Sequence, residues 1–142
     1  MKPEVGTILG LSAQRLALGI GADGAAFAQG TIGLISVVLS MSANEYDRGA
    51  EIRVVENNDL RAVSGELAGS VRDAGLRAKL EDAARSKDAS LRISALNEAN
   101  YALRRLLTEL QIDAEERRDH AAQTRIWTVL RKLADGRLVP LG

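Results

Sequence analysis

Apolar and polar positions follow one another along most of this chain at the three- and four-residue spacing of helices, and the longest such pattern covers residues 31–67. Over that stretch Ile35, Leu39, Ser42, Tyr46, Gly49, Arg53, Glu56, Leu60, Val63 and Leu67 fall on one face. A helix of about 35 residues rising 1.5 Å each is about 50 Å long, the spine of the molecule. Its stripe is apolar at both ends and polar in the middle, where Glu45, Arg53, Glu56 and Asn57 lie on or beside the face that Ile35, Leu39 and Leu60 bury. Gly49 sits on that stripe, where glycine costs about 1 kcal/mol relative to alanine unless a close crossing or a kink needs it.

A second pattern of similar length covers residues 89–118, with Ile93, Leu96, Asn97, Asn100, Leu103, Leu107, Leu110 and Ala114 on one face. It too carries amides in its middle. Two helices of matched length predict an all-α, single-domain bundle built around an antiparallel pair, residues 31–67 against residues 89–118. Shorter elements complete four to five helices over residues 1–142. Pro3, Val5, Leu9, Ser12 and Leu16 mark a first helix ending near Gly19, and Leu76, Leu80 and Ala83 mark a short one over residues 72–85. Ala122, Ile126, Val129 or Leu130, and Leu133 mark a last helix stopped by Gly136.

Between the elements, residues 19–30 read as a Gly-rich linker that Phe27 anchors, and residues 137–142 as a C-terminal tail. Asp88 is the expected N-cap of the second long helix. Residues 88–136 hold no proline and no glycine before Gly136, so a break must come from capping: Asp113 with Glu116 is one signal, Asp119 the favoured one.

Composition narrows the chemistry. Lysine plus arginine equals aspartate plus glutamate at 19 each, so no overall field draws the chain to nucleic acid, anionic lipid or an acidic substrate. With no cysteine and His120 as the single histidine, thiolate nucleophiles, iron–sulfur clusters, two-imidazole metal sites and di-iron Glu-x-x-His bundles are excluded within one chain. No segment reads as a signal peptide, and the most apolar run, residues 31–43, falls short of the roughly 20 residues that span a bilayer. The expectation is a soluble cytoplasmic protein. Aromatic residues are 3%, so leucine, isoleucine, valine and alanine must fill the core.

Gly19-Ile20-Gly21-Ala22-Asp23-Gly24 spells G-x-G-x-x-G, but a dinucleotide site needs a strand before it inside a β-α-β unit, and the residues before it read as helix. The stronger constellation is the polar centre: Glu45, Arg53, Glu56 and Asn57, with Arg48 nearby, facing Asn97 and Asn100. Buried charges must be paired, so these groups either saturate one another and fix helix register, line a small-ligand pocket in which Arg53 grips an anion, or reach solvent at the stripe's edge. Glu45, Glu51 and Glu56 are weaker candidates for hard-metal ligands or acid–base work. No catalytic, cofactor or metal residue is singled out. Six basic residues between Arg117 and Arg137 oppose only Asp119 and Asp135, yet no aromatic platform accompanies them, so the segment reads as a solvated face. Trp127 is the candidate interface residue. The function these features suggest is a non-enzymatic protein-interaction scaffold, a homodimer without nucleic-acid or membrane partners; the alternative is a ligand-binding or enzymatic bundle using the polar centre.

Overall fold

A computed structural model describes Ile8 and residues 25–137, except for a number of side chains in the first half of the long helix. Among the described residues the chain is all-helical: α1 is Ala25–Ala68, α2 Ala74–Arg85, α3 Ile93–Glu116 and α4 His120–Asp135. No described helix is long and apolar enough to cross a membrane. The chain forms two compact units, Met1–Gly49 and Ala50–Pro140, leaving aside the last two residues.

In the first unit, α1 buries Ser42 and Gly49 and half-buries Ile35, as the stripe requires, while Leu34 and Met41 stand exposed. The Ser42 hydroxyl donates to the Val38 carbonyl at 2.8 Å, which satisfies it within its own helix. Helix α1 starts at Ala25, six residues before the predicted boundary, so residues 25–30 are not linker. Ala25, Ala26, Phe27, Ala28 and Gln29 are helix formers, and their sum outweighs the single cost of Gly30. The predicted first helix apart from Ile8, the G-x-G-x-x-G stretch, the side chains of Phe27, Leu39 and Tyr46, and the tail beyond Arg137 lie outside the described residues.

In the second unit, one apolar cluster joins all four helices: Leu60, Val63 and Ala68 of α1, Leu76 and Leu80 of α2, Leu103, Leu107 and Leu110 of α3, and Ala122, Ile126, Val129 and Leu133 of α4. These are the predicted stripes, filled with aliphatic side chains. Helices α1 and α2 approach so closely that a Cβ on Gly65 would lie 3.0 Å from that of Ala84.

Of the two expected N-caps, Asp119 agrees with the structure and Asp88 does not, while α2 is capped by a residue that the sequence pattern did not single out. Asp73 caps α2 by accepting from the Leu76 amide at 2.6 Å, and Asp119 caps α4 by accepting from the Ala122 amide at 3.0 Å, so the favoured break near Asp119 is where the chain turns. Asp88 does not cap α3, which begins five residues later at Ile93, with Arg92 in the cap position and no side-chain cap bond. Its carboxylate is engaged by Arg61, and a charge-assisted bond outweighs a cap of about 1 kcal/mol. Helix α3 ends in a Schellman turn, Asp119 N–H to Ala114 O and Arg118 N–H to Glu115 O, which places Arg118 at φ 55° where glycine is usual.

The antiparallel arrangement expected for the two long helices is corrected by the contacts between them. Arg53 meets Asn97, Asn57 meets Asn100, and Ser70 meets Arg117. Paired positions rise together, so this part of α1 and α3 run in the same direction. The reason is topological: α2 carries the chain back between them. Helix α4 is the antiparallel neighbour of α1, with Glu66 meeting Arg125, Asp59 meeting Lys132 and Glu56 meeting Arg137.

Candidate functional site

The most structured polar feature is the centre of the α1–α3 interface. On α1, Arg53, then Glu56 and Asn57, then Arg61 occupy three successive turns, and on α3 Asn97 and Asn100 continue into Arg104. Helical spacing puts each series on one face, and the pairing of the helices turns the faces toward each other.

Asn57 is fully buried at the middle. Its amide nitrogen donates to Asp88 Oδ1 at 2.9 Å and to the Leu96 carbonyl at 3.2 Å, and its amide oxygen accepts from Asn100 Nδ2 at 2.9 Å. The same Asn100 nitrogen lies 3.2 Å from Glu56 Oε2, and the Asn100 oxygen accepts from Arg104 Nε at 2.8 Å. Arg53 Nε donates to Asn97 Oδ1 at 2.9 Å. On the other side of Asn57, Arg61 forms an ion pair with Asp88 at 2.6 Å and donates to the Ser86 hydroxyl at 3.0 Å, fastening the α2–α3 loop. The Glu56 carboxylate receives the Arg137 guanidinium on both oxygens, and Arg104 lies 3.5 Å from Oε2.

Electrostatics follow from these contacts. Burial by itself raises the Glu56 pKa, but the hydrogen bonds and charges of Arg137 and then Arg104 outweigh it, holding the carboxyl below its ordinary range. Asp88 is likewise lowered, chiefly by the Arg61 hydrogen bond, against burial and with help from Asn57. Both are ionised at neutral pH.

Five of the predicted residues, Arg53, Glu56, Asn57, Asn97 and Asn100, therefore meet. Glu45 is half-buried in the first unit, and Arg48 is exposed there. Arg61, Asp88, Arg104 and Arg137 complete the cluster and were missed. Arg61 and Arg104 carry a legible signal, each one helical turn beyond an asparagine of the stripe, whereas the local sequence marks Asp88 as a cap and Arg137 as tail. Among the described residues no three His, Asp or Glu side chains gather as metal ligands, and His120 is an exposed first residue of α4.

The basic C-terminal segment is a largely solvated face, as expected, with Arg118, Arg131 and Lys132 exposed, and four of its six basic residues are also ion-paired. Arg117 pairs with Asp113 and Asp119, Arg125 with Glu66, Lys132 with Asp59 and Arg137 with Glu56. Trp127 lies on the outer face of α4, 61% exposed, in a surface depression with Thr124, Thr128, Leu130, Arg131 and Ala134. No family model, curated protein or solved structure matches the chain.

Proposed function

We propose that this chain is a non-enzymatic helical module, one functional unit over residues 1–142, that works by protein–protein contact and associates with a second copy as a cytoplasmic homodimer. The observation that carries this reading is Trp127: a large aromatic side chain left mostly in solvent on a helix whose opposite face, Ala122, Ile126, Val129 and Leu133, is already buried. Exposed tryptophan ringed by small and amphipathic side chains is the composition of an interface anchor. The polar centre supports the same reading indirectly. Its amides and charges are directed at one another, which favours a role in fixing register between α1 and α3 over a small-ligand pocket.

Light scattering coupled to size exclusion tests it. At micromolar concentration the wild-type chain is expected at twice its 15.2 kDa mass, and Trp127→Ala at the monomer mass with an unchanged helical circular-dichroism spectrum. A wild-type monomer, or a dimer indifferent to Trp127→Ala, removes the reading.

A further inference from the structure

Arg137 holds Glu56 from an unusual position. It lies two residues beyond the last residue of α4, past the cap Gly136, and its backbone amide donates to the carbonyl of Ala134, three residues back. Its side chain nevertheless reaches both oxygens of a carboxylate on α1 that is 4% exposed, while Arg137 itself is 29% exposed. The carboxylate is oriented from behind. Asn100 donates to Oε2, and Arg104 is committed through Nε to the Asn100 oxygen, leaving the outward edge of the carboxylate to a planar, two-point donor. That edge fits the guanidinium fork, and a single-point ammonium does not satisfy it. The residue that fills it also lies past the cap of α4, outside the helical hydrogen-bond ladder, where a segment separates at less cost than one inside a helix.

We propose that Glu56, backed by Asn100 and Arg104, is a socket for a guanidinium group: Arg137 fills it in cis, and an arginine side chain of another polypeptide segment fills it once Arg137 is displaced. Arg137 is then an autoinhibitory plug. The socket lies apart from Trp127, so Trp127→Ala leaves guanidinium capture unchanged even if it abolishes self-association.

The test uses the full chain carrying Arg137→Ala, with arginine amide or guanidinium chloride at millimolar concentration as the probe. Lysine amide and sodium chloride at equal ionic strength are the comparisons. Arginine amide is expected to raise the melting temperature of this variant by about 3–6 °C at tenfold saturation, and to leave wild type and Arg137→Ala/Glu56→Gln unmoved. Equal shifts from lysine amide, or the same response in all three chains, overturn the socket. If Arg137→Ala does not fold, Arg137→Lys keeps the charge and loses the fork. Arginine amide must then raise its melting temperature more than lysine amide does, and parity overturns the proposal.

Discussion

Two sets of ion pairs in this molecule use the same residue types and differ in what surrounds them. At the centre of the α1–α3 interface, Arg61 meets Asp88 at 2.6 Å with both side chains nearly buried, and a fully buried asparagine shares the same carboxylate. On α2, Arg85 meets Asp82 at the same 2.6 Å, with side chains 68% and 78% exposed. Distance does not distinguish them; water does. A surface pair exchanges one set of good hydrogen bonds for another, whereas a buried group that loses its partner keeps the whole desolvation cost. The polar centre is therefore intolerant of partial removal, and the surface pairs are dispensable.

That contrast breaks most visibly at Asn57. Asn57→Ala strips a partner from Asp88, Asn100 and the Leu96 carbonyl together, and is expected to lower unfolding free energy by about 2–4 kcal/mol in denaturant titration. A loss of a few tenths would place these amides in contact with water.

Acid gives a smaller and graded effect. Glu56 and Asp88 have folded-state pKa values below their ordinary 4.5 and 3.8, so each contributes stability above that range and loses it as pH falls through the lowered value. Melting temperature should be flat from neutral pH to about pH 5 and fall below it. Glu56→Gln should flatten part of that fall, and an unchanged acid limb would mean that other carboxylates carry it. At the bottom of the scale, Arg85→Ala is expected to change stability by less than about 0.5 kcal/mol, after allowing for helix propensity, and a larger loss would erase the distinction drawn between the two sets.

The same contrast explains what was legible in the sequence. Stripes such as Leu103, Leu107, Leu110 and Ala114 declare themselves because apolar burial repeats with the helical period, and Asp119 declares a helix start because capping is local. The polar centre was half legible: Asn57 and Asn100 interrupt apolar stripes, so they must meet something. What they meet was not. Asp88 and Arg137 come from a loop and a helix end, 31 and 81 residues away from the groups they bind on α1, and nothing local marks them. Helix direction was illegible for a related reason. Matched lengths suggested an antiparallel pair, but direction depends on whether the intervening segment forms a return helix, and α2 does.

The central claim is that Asn57 and Asn100 form one interdependent unit locking α1 against α3. A double-mutant cycle with Asn57→Ala, Asn100→Ala and the combined variant measures it directly. The account predicts that the two losses are not additive, with a coupling energy of about 1–3 kcal/mol, because the second substitution removes a group the first has already orphaned. Additivity within about 0.5 kcal/mol would contradict it and leave the two asparagines as separate residues that merely share an interface.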